Sequence, residues 1–360
     1  MMKKFISVLI CALMLLALGA PAFASYESEA EAIIAHKKAA AGAKTEEEWI
    51  SSLAEGAGIE AEWYVMAAAK LGYSGFSEYS QALAEYISKN NLKGTNAQRC
   101  ALAFIAAECK SKYIAVTAES TIGSQGIMSY IWGLMLLSCG AESTEFSPES
   151  LAEKIASMRL ADGGFALSGA VSNVDVTAMA IAALAPYRGN AAVNDAVESS
   201  LAFLSSAQTE SGGFINYGLE NCESAAQVVI ALCSLGIDPE VDARFIKNGN
   251  TALSSVRSFA LAGGGYAHVS GGAESEMATA QALHAFTAMH LFENGADSLF
   301  SFKMPAGVPE GFLDFDAPRA EEAPKSKNSI KNTVCIAVIA ACAVGIVITA
   351  LVPSKKKEEE

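Results

Sequence analysis

The sequence predicts an all-α domain, an (α/α)6 toroid of six inner and six outer helices, with an N-terminal signal peptide before it and a C-terminal transmembrane helix after it. Three observations carry that expectation. A Gly-Gly-aromatic phrase recurs at Gly163-Gly164-Phe165, Gly212-Gly213-Phe214 and Gly264-Gly265-Tyr266, spaced 49 and 52 residues apart, and a period near fifty marks stacked helical hairpins. Each phrase leads into a helix of small apolar residues. Apolar periodicity of 3.6 persists from residue 27 to Phe292, and nothing alternates with a period of two over a useful length.

At the N-terminus, Lys3 and Lys4 precede an apolar run from Phe5 to Leu18, and Ala22-Phe23-Ala24 offers a peptidase site. Residues 1–24 are therefore expected to be removed. Outer helices are expected where apolar residues recur on one face with polar residues between them: Glu27 to Leu53, Phe76 to Ile87, Pro148 to Met158, Val193 to Ser206 and Thr251 to Leu261. A further outer helix around Lys110 to Ala118 is the poorest of the set, because Tyr113, Ile114, Val116 and Thr117 are weak helix formers. Six other segments are apolar nearly all round: Glu60 to Leu71, Asn96 to Ala107, Gly126 to Leu137, Asp175 to Ala185, Glu223 to Leu235 and Glu276 to Phe292. A helix without a wet face has to be surrounded, so these form the inner layer.

The glycines fit a chain reversal at the end of each outer helix, and the aromatic that follows plugs the gap between neighbouring hairpins. The toroid is expected over residues 25–295, with a loop and flexible stalk over 296–333. From Val334 to Val352 the chain carries no charge and is long enough to cross a bilayer. Lys355 to Lys357 follow, in a tail over 353–360, and place that tail in the cytoplasm and the toroid outside the cell.

The formal charge of -14 excludes nucleic acid as a partner class, since a phosphate-binding face needs a basic patch. Five of the eight cysteines, Cys100, Cys109, Cys139, Cys222 and Cys233, lie in the exported domain within apolar stretches. An odd number so placed reads as buried thiols and not as a disulfide framework. The four histidines, His36, His268, His284 and His290, have no metal or triad spacing, so neither a metal nor a cofactor is expected.

The segment Leu204-x3-Gln208-x3-Gly212-Gly213-Phe214 resembles the QW repeat of squalene-hopene and other triterpene cyclases, with Phe214 where Trp is frequent. Ile155 to Phe165 and Val256 to Tyr266 are degenerate copies. The chain thus resembles the terpenoid cyclase and protein prenyltransferase superfamily of α/α toroids, in a bacterial cell-surface branch. The resemblance implies a toroid and leaves the activity open, because members differ in what fills the ring. Class II cyclases use Asp-x-Asp-Asp; the matching stretch from Asn173 to Val176 keeps Asp175 at the proton-donor position and lacks the acids that tune it. In prenyltransferases a zinc ion is held by Asp-x-Cys and a His; Glu220-Asn221-Cys222 resembles the first part, and Ala278 stands where the His is expected.

Parallel inner helices open their N-termini at one end of the ring, which makes that mouth the default site. Trp63, Tyr64, Arg99, Tyr130, Asp175, Glu223 and Glu276 are expected to line it, with Glu62, Asn96, Gln98 and Gln125 nearby. For the acids the structural alternative is helix capping, which is preferred for Asp175. The function expected is a membrane-anchored extracellular toroid that binds a small or extended ligand or a protein partner without catalysis. The alternatives are a cyclase-like enzyme with Asp175 as general acid, a cobamide-carrier-like protein, and a structural spacer.

Overall fold

The computed structural model describes residues 25–313, which hold thirteen α-helices, three short 3-10 turns and one two-stranded hairpin. The expected signal peptide, the transmembrane segment 334–352 and the tail lie outside the described residues, as does most of the stalk. Among the described residues no helix is long and apolar enough to cross a membrane.

In chain order the helices are α1 (Tyr26–Ala40), α2 (Glu46–Ser52), α3 (Ala61–Lys70), α4 (Ser77–Lys89), α5 (Gly94–Ala106), α6 (Lys112–Thr121), α7 (Gly126–Ser138), α8 (Pro148–Ala156), α9 (Val174–Leu184), α10 (Ala191–Ala207), α11 (Cys222–Ser234), α12 (Ala252–Ser258) and α13 (Glu276–Glu293). The hairpin pairs β1 (Ile215–Asn216) with β2 (Leu219–Glu220) just before α11. Side-chain caps start most of these helices, among them Ser25, Thr45, Asn173, Asn221 and Ser275, each accepting a hydrogen bond from a backbone N–H of the first turn.

The six apolar segments form a closed ring. α3 packs on α5, α5 on α7, α7 on α9, α9 on α11, α11 on α13, and α13 returns to α3. In α5 every residue from Ala97 to Ala106 is buried, as is every residue of α11 from Cys222 to Leu232, which is what a helix enclosed on all sides requires. Around the ring, α6 lies on α5 and α7, α8 on α7, α10 on α9, α12 on α11, and α1 on α13. The sixth outer helix, α4, sends Tyr79 inward to hydrogen-bond Glu62 of α3 at 3.1 Å.

Several expectations are corrected. The stretch from Glu27 to Leu53 is two helices, α1 and α2, broken where Gly42 takes φ +69 and Thr45 caps the next start. α6 does form despite its poor propensities, because Tyr113, Ile114, Thr117 and Ala118 make a buried face. Strands are present after all, if only as the six-residue hairpin. Residues 297–312, read as loop and stalk, lie against the ring. Leu299 and Phe300 are buried, Phe312 packs edge-on to Phe104, and the Ser301 carbonyl accepts from Lys70. Apolar residues at 299, 300, 302 and 312 supply the contact, and the segment covers the C-terminal ends of α3, α5 and α7.

The recurring glycine has a steric cause. Gly163 and Gly212 take φ +94 and +85, and a Cβ on either would stand 2.4 Å from a backbone oxygen of the next outer layer, Ser199 O or Thr251 O. Gly264, at φ +101, faces His36 of α1 in the same way, 3.0 Å from its Cβ. Phe165 and Phe214 are then fully buried behind the turn, and Gln208 donates to Gly212 O at 2.9 Å and to Phe245 O at 3.0 Å. Gly218 has a similar φ of +85 but open space around it. Gly212→Ala is therefore expected to lower stability by more than about 1 kcal/mol and by more than Gly218→Ala does. Chemical denaturation of the two variants checks this, and equal losses would remove the close approach as the reason for the motif.

Candidate functional site: the mouth of the ring

The N-terminal ends of the inner helices lie side by side. Thr95 at the start of α5 receives Gln125 from the start of α7, Tyr64 of α3 reaches Glu276 O of α13, and Cys222 N of α11 donates to His268 O in the loop before α13. This is the mouth. The opposite end carries the 297–312 segment and two clefts of about 530 and 430 Å³ between it and the loops at Gly75 and Glu108.

The residues expected at the mouth fall into separate groups. Trp63 is not on the rim. It stands on the ring axis, with ring centroids 5.7 Å from Trp132 and 5.6 Å from His284, and both of these stack edge-on to Phe300 from the covered end. Four rings thus fill the axis. His284 Nε2 donates to Trp63 O at 2.7 Å, and burial pushes its pKa down to about 4, so the imidazole is neutral at pH 7.

Arg99 is committed to structure. Its Nε lies 3.4 Å from Glu62 Oε2, its Nη2 donates to Ile59 O at 3.1 Å, and the guanidinium covers the Trp63 ring. Glu62 is fully buried and accepts from Gly58 N at 2.6 Å. Burial raises its pKa, and Arg99 opposes that most. Tyr64 and Glu276 do meet, together with Lys37 of α1, whose Nζ is 2.7 Å from both Glu276 oxygens and lies over the Tyr64 ring. Tyr130 faces the outer layer, against Phe146 and under Lys154 of α8. It does not reach the others.

Asp175 and Glu223 come together at the start of α9 and α11. The capping reading of Asp175 is incorrect, because Asn173 caps α9 by accepting from Val176 N at 3.0 Å. Asp175 sits two residues further on and turns inward, 2% exposed. Its Oδ2 accepts from Asn216 Nδ2 of the hairpin at 2.7 Å, and Asn173 donates to the oxygen of the same Asn216 at 2.8 Å. Oδ1 and the Ser224 hydroxyl have no fully formed hydrogen bond to any other group, and they face each other closely enough for the hydroxyl to oppose the rise in the Asp175 pKa. Glu223, 3% exposed, binds His268 Nδ1 at 2.8 Å. Burial pushes the Asp175 carboxyl up to about 6, with Glu223 adding to the rise and Ser224, Asn216 and His268 opposing it. The bond to Glu223 raises the pKa of His268.

Glu276 was grouped with Asp175 and Glu223, but it is one residue out of register. Asp175 and Glu223 stand two after their caps, Asn173 and Asn221, whereas Glu276 stands one after Ser275. One residue is a rotation of about 100° on a helix, which turns Glu276 away toward α1. The sequence reading also missed Asn216, Tyr217, Ser224 and His268. Tyr217 and Gly218, at φ +50 and +85, form the two-residue loop of a hairpin whose tip is exposed. The Asn-Tyr-Gly triplet was the available signal.

No family model matches this chain and no curated protein does. Among solved structures it is similar to an unsaturated glucuronyl hydrolase described with the oligosaccharide dGlcA-Glc-Rha-Glc. The TM-score is 0.47 and the identity 13%, over 79% of this chain and 99% of that one. A likeness this shallow transfers neither ligand nor residues to the present chain.

An acid whose pKa is raised on folding holds its proton more tightly when folded. Its contribution to stability is therefore complete below the unfolded pKa near 4 and is lost as pH rises toward the folded value of about 6. The difference corresponds to about 3 kcal/mol at most. Asp175→Asn, neutral at every pH, is expected to melt higher than the wild type at about pH 7.5 and to lose that advantage at about pH 4. A melting difference independent of pH would show that Asp175 titrates as an ordinary surface acid.

Proposed function

We propose that this chain is a non-catalytic, ligand-binding toroid, held outside the cell by its C-terminal segment, and that its ligand sits at the mouth beside Asp175. The observation that supports this most is the buried pair of Asp175 Oδ1 and Ser224 Oγ, incompletely satisfied and facing each other, beneath a hairpin that keeps apolar residues in solvent. Buried polar atoms in folded proteins nearly always have a partner, and those that lack one concentrate where a ligand or water completes the set. Tyr217 and Leu219 are each more than half exposed. An apolar rim above convergent polar groups is the usual composition of a binding site.

A second reading has an observation of its own. A carboxyl raised to about 6 by burial is poised as a general acid near neutral pH, which fits a cyclase-like reaction with Asp175 as the proton donor. The tuning acids of the cyclase motif are absent, and the neighbour of Asp175 is a Glu223 already joined to His268. Binding is the simpler use of the arrangement.

Full-length protein purified natively from its host, denatured and analysed by mass spectrometry, is expected to release one small molecule in near-stoichiometric amount. Tyr217→Ala should retain the fold and lose most of that molecule. Equal recovery from the variant would place the ligand elsewhere, and conversion of the added molecule by wild type but not by Asp175→Asn would favour the enzyme.

A further inference from the structure

The chemistry of the mouth narrows the class of ligand, taking as given that the mouth is the binding site. The carboxyl groups between α9 and α11 are Asp175 and Glu223, and among the described residues the basic side chain facing them is His268, on the rim and paired with Glu223. The permanent cations beside the starts of α3 and α13 are occupied. Lys37 holds Glu276 with two contacts and Arg99 holds Glu62 and Ile59 O. An anionic ligand entering here would meet buried carboxyl groups and no free cation, a cost of desolvation without a compensating pair. Among the described residues no group of three or more His, Cys, Asp or Glu side chains is placed to hold a metal ion. A cation with its own hydrogen-bond donors is what this geometry lacks.

The hairpin supplies the other half. Asn216 and Leu219 are a cross-strand pair and so share the face turned toward Asp175. Leu219 is 55% exposed. Tyr217, at the tip, is 66% exposed; partial burial raises its phenol pKa most, and the nearby Asp175 carboxylate adds to the rise. A tyrosine at φ +50 occupies a position that Asn, Asp or Gly takes at lower cost. Its ring offers the electron-rich face that attracts ammonium groups.

We infer that the mouth takes a protonated organic amine on an apolar or aromatic body, with the ammonium donating to Asp175 Oδ1 and Ser224 Oγ and the body lying against Tyr217 and Leu219. Asn216 holds the carboxylate from the other side, so the free oxygen is the one presented to the ligand. The Glu223–His268 hydrogen bond occupies the second carboxyl at the rim, and that bond raises the pKa of His268.

The full-length chain, titrated calorimetrically near neutral pH with phenethylamine, phenethyl alcohol and hydrocinnamate, tests this. These probes share one aromatic body and differ in the polar end. Phenethylamine is expected to bind saturably, and the alcohol and the acid at least about tenfold more weakly, as for loss of one charged hydrogen bond. Asp175→Asn should weaken the amine by about ten- to a hundredfold and leave the alcohol unchanged. Binding of the alcohol as tightly as the amine, lost in Tyr217→Ala, would overturn the amine class and leave the mouth standing as a site. Amine binding unaffected by both Asp175→Asn and Tyr217→Ala would overturn the class and the site together. If none of the three probes binds, the amine class falls, while the mouth is still judged by the molecule released from native protein.

Discussion

The return of α13 onto both α1 and α3 is the contact on which the rest of this structure depends. Inner helices have no face to give to water, and in an open row the first and the last would each leave one apolar side uncovered. Closure removes both exposures at once. α13 is the longest helix described, at 18 residues, and nearly all of it from Ala278 to Met289 is buried. The polar contacts across the seam add position to that burial. Arg257 of α12 pairs with Glu29 of α1 through two bonds of 2.8 and 2.9 Å, His36 meets Glu274 at 2.8 Å, and Lys37 meets Glu276. Half-exposed ion pairs of this kind contribute little energy individually, so their role is to fix which residues of α1 face which of α13.

Closure makes the two ends of the ring different. At the end where the inner helices finish, Phe300 is inserted between Trp132 and His284, and the axis is filled with rings up to the level of Trp63. The two clefts at this end lie between the segment and the loops at Gly75 and Glu108, and the other end is arranged differently. There the loops leading into α9 and α11 are tied to one another through Asn173 and Asn216, and a carboxylate is buried beneath them with one oxygen unsatisfied. Keeping an acid in that state opposes folding at neutral pH.

Much of this architecture was legible in the sequence, for physical reasons that differ by element. Amphipathic outer helices and enclosed inner helices have different residue patterns because their surroundings differ, so Val193 to Ser206 and Glu223 to Leu235 were separable without coordinates. The Gly-Gly-aromatic phrases were legible because no other residue tolerates the approach of Gly163 to Ser199 or of Gly212 to Thr251. The site was harder. Its members come from two helix starts, a hairpin six residues long and a loop 45 positions beyond Glu223, and neither the hairpin nor the loop has a periodicity to detect. Trp63 was expected at the rim because it stands near the start of an inner helix, whereas its ring packs inward against Trp132 and His284, which Phe300 meets from the covered end. Counting from each helix cap, and not from each acid, would have separated Glu276 from Asp175 and Glu223.

Closure can be read without substituting a residue. Zero-length carbodiimide coupling joins an amine to a carboxylate only when the two are in contact, and Lys37 and Glu276 are 239 residues apart in the chain with 2.7 Å between their charged atoms. In monomeric full-length protein, coupling followed by proteolysis and mass spectrometry should yield a peptide pair joined through these two side chains. A closed ring predicts that product at least as abundantly as the exposed Lys89–Glu85 coupling within α4, whose atoms are 3.7 Å apart. Efficient Lys89–Glu85 coupling with no Lys37–Glu276 product would mean that the first and last helices do not meet, and the ring and its mouth would be contradicted.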